Sequence, residues 1–217
     1  MTQPARIAML GGTFDPVHIG HLRSAVELRD ALGLDTVHMM PAPQPPLRDA
    51  PQVSPRQRLA LLQMAIGDTP GLQADARELE REGPSYSVDT LRSLRQEYGE
   101  SARLVMAIGW DAFLRLDQWR EPERLFAFAH LVVIARPGHA EPPSASLREL
   151  LGQREVDSVS DIMAAPYGNL LHVTLPSAMA ISATQIRQWI SEGKSVRYLL
   201  TEAVENTILR EGLYQRW

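Results

Sequence analysis

Two histidines three residues apart follow a pair of glycines near the start of the sequence. Residues 11–21 read GGTFDPVHIGH. Side chains three apart in the first turn of a helix share a face, so His18 and His21 are expected to point at one ligand. Glycines let a ligand approach the backbone, and a helix start attracts anions. The pattern therefore predicts a phosphate site, with hydrogen bonds from both imidazoles and the Thr13 hydroxyl.

Two other interpretations of the histidine pair are open. A metal site needs a third ligand, and Asp15 is the only carboxylate nearby. A purely structural role is the second, although packing alone does not explain a glycine turn followed by two histidines on one face. A dinucleotide-binding fingerprint does not fit, because the next glycine after Gly12 is Gly20. Phosphate binding is the interpretation that we favour.

A second group of residues suited to phosphate lies near the other end of the sequence. Residues 181–187 read ISATQIR, and the run from Ser182 predicts a capping box at a helix start. Thr184 and Arg187 are three apart and share a face, so hydroxyl, guanidinium and helix N–H groups could converge on phosphate oxygens. The alternative is an ordinary cap followed by a solvated arginine.

The composition excludes several other chemistries. The 217 residues include no cysteine, which removes disulfides, thiolate metal sites and cysteine nucleophiles and is typical of a reducing compartment. Lys194 is the one lysine among 22 basic residues. The run GKS at 193–195 resembles the end of a phosphate-binding P-loop, but Gln188 stands where that loop needs glycine. We therefore expect Gly193 to end a helix.

Charge and hydropathy bear on partners and location. The net charge of -4 argues against long-range attraction to nucleic acid. The longest near-apolar run, 126–135, is half of the roughly 20 residues that a membrane-spanning helix needs. The N-terminus lacks the apolar stretch of a signal peptide. We expect a cytoplasmic protein that binds neither nucleic acid nor membrane.

The elements that must position these residues alternate along the chain. Apolar runs of strand length alternate with segments of helical period, which predicts an α/β fold: a Rossmann-like, doubly wound parallel sheet of about five to six strands. Strands are expected at 7–10, 36–40, 103–108, 130–135 and 170–174, and helices from about Leu22, Ser54, Ser87, Ser182 and Glu202. The segment 137–165 is expected to be a peripheral loop with a short helix.

We predict a single domain over 1–217. Its parts are a core at 1–175 and a small helical part at 176–217 that carries the ISATQIR segment.

In this order, the motifs resemble those of a known superfamily. HIGH at 18–21 and ISATQIR at 181–187 resemble the two signatures of the nucleotidyltransferases, which transfer a nucleoside monophosphate from a nucleoside triphosphate. GPSYSVDTL at 83–91, GWD at 109–111 and Trp119 make the chain similar to the bacterial nicotinate mononucleotide adenylyltransferases. The resemblance covers essentially the whole chain.

The resemblance implies adenylyl transfer from ATP to nicotinate mononucleotide by direct in-line attack, with Mg²⁺ bound mainly through the ATP phosphates and no protein metal ligands. It implies His18, His21 and Arg187 as catalytic residues. The implied ATP contacts are Gly11, Gly12, Thr13, Phe14, His18, His21, Arg48, Gly109, Asp111, Ile181, Ser182, Thr184 and Arg187. The implied nicotinate mononucleotide contacts are Ser87, Val88, Asp111, Trp119 and Arg120.

Two positions depart from the family pattern, and some questions stay open. Relatives carry His-Lys where this chain has Leu47-Arg48, and many place an aromatic residue where it has Arg120.

The acceptor could instead be nicotinamide mononucleotide or another phosphate acceptor. A non-catalytic nucleotide-binding regulator is the rival from another class, although the intact His18, His21 and Arg187 argue against it. A homo-oligomer is left open.

Overall fold

A six-stranded parallel sheet organises the molecule. The computed structural model describes residues 3–43, 53–135, 141–177 and 179–215. Within these residues the strand order is β3-β2-β1-β4-β5-β6, and every neighbouring pair is parallel. The strands are β1 (Arg6–Gly12), β2 (Thr36–Pro41), β3 (Leu72–Ala74), β4 (Arg103–Gly109), β5 (His130–Ile134) and β6 (Leu170–Val173). The predicted Rossmann-like fold is confirmed.

Helices cover both faces of this sheet. They are α1 (Ile19–Leu32), α2 (Pro55–Ile66), α3 (Ser87–Tyr98), α4 (Trp110–Phe113), α5 (Pro122–Leu125), α6 (Ala145–Leu151), α7 (Val159–Ala164), α8 (Ala183–Ser191) and α9 (Glu202–Glu211). Side chains of α1, α2, α7, α8 and α9 share one apolar cluster with Ala8 and Val105 of the sheet. Those of α3, α4, α5 and α6 share a second cluster with Ile7 and Leu104. Alternate side chains of β1 and β4 thus pack into opposite clusters, as expected for strands buried on both faces.

Several local predictions are confirmed. At the start of α2, the Ser54 hydroxyl accepts from the Gln57 N–H at 3.3 Å and the Gln57 side chain accepts from the Ser54 N–H, completing the capping box. Gly193 follows the end of α8 with φ of 68°, and the Lys194 N–H donates to the Trp189 carbonyl at 2.8 Å. The GKS run is therefore a helix end.

The prediction of one short helix in the segment 137–165 is incomplete. Within the described part of 137–165 there are two short helices, α6 and α7, whose N–H groups bond to Ser144 and Ser158. They are too short to show a helical period. In α1 the buried side is Ala25, Leu28 and Leu32. Leu22 and Val26 are partly buried at the edge of the same cluster, where they border a surface groove beside Thr69 and Leu72.

The strand order fixes where a ligand can bind. From β1 the chain builds outward through β2 and β3 on one side, and through β4, β5 and β6 on the other. In open α/β sheets the crevice at this reversal, outside the carboxyl ends of the strands, is the usual ligand site. Gly12 ends β1 and Gly109 ends β4, so both predicted glycine sites lie at this crevice. No helix in the described ranges combines the length and apolarity needed to cross a membrane.

Candidate active site

The turn after β1 is built around a buried phenyl ring. Phe14 is 2% exposed and has a positive φ of 48°. A Cβ built on Gly12 would lie 2.9 Å from this ring, so any other residue at position 12 would force the ring or the turn to shift. The ring also meets His21 edge-on, with centroids 5.0 Å apart. The side chain of Phe14 therefore supports the turn from inside the core, so it can offer a ligand only its backbone.

The two histidines lie side by side at the start of α1. Their rings are stacked, with centroids 3.6 Å apart and planes inclined by 20°. The His18 N–H donates to Nδ1 of His21 at 3.3 Å, so a neutral His21 ring carries its proton on Nε2. A Cβ built on Gly20 would lie 3.1 Å from Nδ1 of His18. Glycine in the HIGH motif thus leaves room for the His18 ring against the helix.

His18 is a neutral imidazole at physiological pH. It is 6% exposed, and burial lowers its pKa to about 4. Its Nδ1 atom is buried and has no hydrogen-bond partner within the described residues. His18 is therefore suited to hydrogen bonding rather than to charge pairing.

The second motif meets the first through Arg187. Nη1 of Arg187 donates to the Asp15 carbonyl oxygen at 2.7 Å and lies 3.8 Å from Oδ2 of the same residue. Nη2 donates to the Thr184 hydroxyl at 3.4 Å. A Cβ built on Gly20 would be 3.6 Å from Cβ of Ile181. Two segments that are far apart in sequence are thus brought together at one end of the sheet.

The start of α8 differs from its prediction in one respect. Ser182 precedes the helix but accepts no hydrogen bond from it through its side chain, so the predicted capping box is wrong. Ser182 lies at the surface. Thr184 is also exposed, so both hydroxyls face the solvent side of the helix start.

A second group of predicted residues surrounds the start of α3. Tyr86 precedes this helix, and the Arg120 guanidinium lies 4.6 Å from the centre of its ring. Trp119 packs against the same apolar cluster that contains Val88. Val88 is buried, so it can offer a ligand only its backbone.

Asp111 and Arg48 are the remaining predicted residues. Asp111 follows β4 in the short helix α4 and is exposed. Arg48 and its neighbour Leu47 lie outside the described residues.

Comparison with known proteins identifies the family. The cytidylyltransferase-like family model matches residues 9–189. A Chromohalobacter salexigens protein named "probable nicotinate-nucleotide adenylyltransferase" is 61% identical over 98% of this chain and 97% of its own length. A Pseudomonas putida protein of the same name is 46% identical, with 97% and 95% covered. The chain belongs to the nicotinate-nucleotide adenylyltransferase family.

A solved structure supports the fold of this adenylyltransferase. The chain resembles the Plasmodium falciparum nicotinic acid mononucleotide adenylyltransferase that is complexed with NaAD, with a TM-score of 0.70. The alignment covers 97% of this chain and 98% of the other at 14% identity. At this identity, the likeness shows the shared fold.

The adenylyltransferase also contains a buried arginine that sequence reasoning missed. Arg58 of α2 is fully buried, and its guanidinium donates to the carbonyl oxygens of Thr13 (2.5 Å), Pro43 (2.9 Å) and Val53 (3.2 Å). Burial lowers the pKa of Arg58, and the charge of Asp15 opposes that lowering. Arg58 therefore ties the glycine turn to the segment after β2.

A signal for Arg58 was present in the sequence. It lies three and four residues before Leu61 and Leu62, on the buried face of α2. The neighbouring Leu59 is only partly buried. An arginine on the apolar face of a helix indicates buried hydrogen-bond acceptors around it, because a buried cation without partners is costly.

The second missed residue of the adenylyltransferase is Tyr214, which follows α9. It is 4% exposed, and its hydroxyl donates to Oδ1 of Asp15 at 2.7 Å. Burial raises the pKa of Tyr214 far above its usual range, so the hydroxyl remains protonated. No local pattern signals this contact, since the two residues are 199 positions apart.

Proposed function

We propose that the chain transfers the adenylyl group of ATP to nicotinate mononucleotide, giving nicotinate adenine dinucleotide and pyrophosphate in NAD biosynthesis. The observation that carries this is the contact of Arg187 with the Asp15 carbonyl at 2.7 Å, which joins the two predicted phosphate motifs. The relative that is 61% identical and named as a nicotinate-nucleotide adenylyltransferase supports the choice of acceptor.

The reaction requires no protein nucleophile. A 5′-phosphate oxygen of nicotinate mononucleotide forms a bond to the α-phosphorus of ATP, while the bond from that phosphorus to the pyrophosphate oxygen breaks. The chain then contributes position and stabilisation of the developing negative charge. His18 and His21 contact the α-phosphate and the bridging oxygen. Their stacking at 3.6 Å supports this role, because it fixes both rings before the substrate arrives.

The remaining ATP contacts follow from the positions of the two motifs. Thr13, Thr184 and Arg187 hold the triphosphate, since the guanidinium offers N–H groups in a planar fork. Arg48 is assigned the same task. The path by which the triphosphate enters is lined by backbone, at Gly11, Gly12, Phe14, Ile181 and Ser182. Gly109 and Asp111 at the end of β4 accept hydrogen bonds from the nucleoside.

The acceptor pocket is assigned to the start of α3. The N–H groups of Ser87 and Val88 begin a 12-residue helix, whose dipole favours a carboxylate. Trp119 stacks on the pyridinium ring, a contact of about 0.5–2 kcal/mol. The Tyr86 ring under the Arg120 guanidinium supports a role for Arg120 beside that carboxylate, where relatives place an aromatic side chain.

Mg²⁺ is assigned to the substrate rather than to a protein cage. Within the described residues, no group of three or more histidine and carboxylate side chains could hold a metal ion. A Mg²⁺ ion that keeps several waters and binds through the ATP phosphates needs no such group. When bound, Mg²⁺ neutralises part of the triphosphate charge. Cytoplasmic location and a homo-oligomeric state remain predictions.

Pyrophosphate release tests the proposal. The purified chain is incubated with ATP, Mg²⁺ and nicotinate mononucleotide, and both pyrophosphate and the dinucleotide are measured. We expect equal amounts of the two products, and a lower kcat/KM with nicotinamide mononucleotide, whose neutral amide suits the α3 helix start less well. Absence of both products with the acid would overturn the proposal, and a preference for the amide would reassign the acceptor.

A further inference from the structure

We propose that Tyr214 is a positioning residue for ATP, which acts through Asp15 to hold the Arg187 guanidinium in the orientation that the triphosphate needs. This role rests on the proposed function, because it requires that Arg187 contact ATP. Tyr214 lies after α9, and none of the predicted motifs includes it.

The Asp15 carboxylate forms a bridge between the two side chains. Its Oδ1 accepts the Tyr214 hydroxyl at 2.7 Å, and its Oδ2 faces Nη1 of Arg187 at 3.8 Å. The same Nη1 donates to the carbonyl oxygen of Asp15 at 2.7 Å. The guanidinium is therefore held by the backbone of Asp15, while the tyrosine fixes the rotation of its carboxylate.

Burial makes this arrangement sensitive to the loss of one hydroxyl. Asp15 and Tyr214 are each 4% exposed, and the Arg187 side chain is 16% exposed. Water has little access to replace the donor that Tyr214 supplies. Without it, the carboxylate loses one of the donors that fix its rotation and competes more readily with phosphate for the guanidinium. Tyr214 thus prevents the Asp15 carboxylate from turning further toward the Arg187 guanidinium and occupying the N–H groups that ATP would use.

Replacing Tyr214 with phenylalanine isolates the hydroxyl while keeping the ring in the core. The matched control is Tyr98→Phe. The Tyr98 hydroxyl makes a bond of 2.8 Å to Nε2 of His38, but Tyr98 belongs to the apolar cluster on the other face of the sheet. Both variants lose one hydroxyl and one hydrogen bond of similar length.

Steady-state kinetics with each substrate varied separates positioning from stability. For Tyr214→Phe we expect the KM for ATP to rise roughly 10-fold, the effect of one hydrogen bond to a charged group, with the KM for nicotinate mononucleotide within about twofold of the wild type. Tyr98→Phe should leave both KM values unchanged. In a double-mutant cycle, the effects of Tyr214→Phe and Arg187→Lys on ATP should be less than additive.

Three results would overturn the inference. One is a wild-type KM for ATP in Tyr214→Phe, even if its melting temperature falls. Another is full additivity with Arg187→Lys. Should Tyr214→Phe not fold, Asp15→Asn replaces it, and an unchanged KM for ATP in that variant is the third. A wild-type chain without adenylyl transfer would instead overturn the proposed function, so the two failures are distinguishable.

Discussion

The imidazole rings of His18 and His21 lie face to face, 3.6 Å between centroids and 20° between planes, at the first turn of α1. Two protonated rings so close would repel each other. Burial lowers the pKa of His18 to about 4, so at neutral pH it is an uncharged ring. In the proposed site, the pair therefore acts on phosphate through directed hydrogen bonds, with His18 contributing no positive charge.

Removing the His18 ring should lower turnover without unfolding the protein. We expect His18→Ala to reduce kcat by roughly 10²–10³-fold, because one preorganised contact to the developing charge is lost. Single-turnover and steady-state assays with nicotinate mononucleotide measure this, and circular dichroism checks that the fold is retained. Near-normal turnover in a folded variant would remove His18 from the chemistry.

A methyl group on Gly12 should destabilise the turn after β1. The new Cβ would lie 2.9 Å from the buried Phe14 ring, so the ring or the turn must shift. Overpacking of this kind costs about 1–3 kcal/mol, which lowers the melting temperature of a chain of this size by several degrees. Gly11→Ala is the matched control for stability, because its Cβ would have only an ordinary contact of 3.8 Å with Met9. Equal melting temperatures of the two variants would contradict the packing argument.

Arg58 should be important for stability although it lies below the proposed ligand surface. Replacing it with methionine leaves three carbonyl oxygens without their donor and removes the cation that opposes the Asp15 charge. We expect a loss of roughly 3–5 kcal/mol in the free energy of unfolding, measured by urea denaturation. Arg56→Met, at an exposed position of the same helix, should change it by less than about 0.5 kcal/mol. Similar values for the two variants would refute the role of Arg58.

Acid should destabilise the protein partly through His130. Nδ1 of this buried histidine accepts the Asn169 N–H at 3.2 Å and Nε2 donates to the Ala165 carbonyl at 2.9 Å, so the neutral ring satisfies both partners. Burial lowers its pKa to about 4. Below the unfolded pKa of roughly 6.5, the unfolded chain binds the proton first, so stability falls as the pH drops from about 6.5 toward 4.

His130→Gln tests this account, since glutamine can accept and donate but does not titrate. The variant should show a shallower decline of unfolding free energy between pH 6.5 and 4 than the wild type, measured by urea denaturation at each pH. Some decline will remain, because the pKa of His18 is lowered in the same way. An unchanged slope would show that His130 does not bind the proton on unfolding.

The sequence predicted those parts of the fold that local patterns encode. Strands β1, β2, β4 and β5 are apolar runs long enough to recognise, and the start of α2 has a capping box in four consecutive letters. The strand β3 escaped prediction because it has three residues, of which only Leu72 is buried. A short strand is defined by its pairing with β2 rather than by its own residues.

The same distinction applies to the site. His18, His21 and Arg187 stand out because their types and spacing already suit phosphate. Asp15 and Tyr214 support them only through a contact between distant segments, and the burial of Arg58 depends on which side of α2 meets the sheet. Such supporting residues become visible once the chain is folded.

The separation of Asp15 and Tyr214 also bears on how the protein is made. Synthesis produces the glycine turn and the histidines early, whereas their buried partner emerges from the ribosome 199 residues later. A growing chain can form β1 and α1 long before the hydroxyl that fixes the Asp15 carboxylate exists. With the proposed role of Tyr214, full affinity for ATP is acquired only after residue 214 has been made and has packed against Asp15.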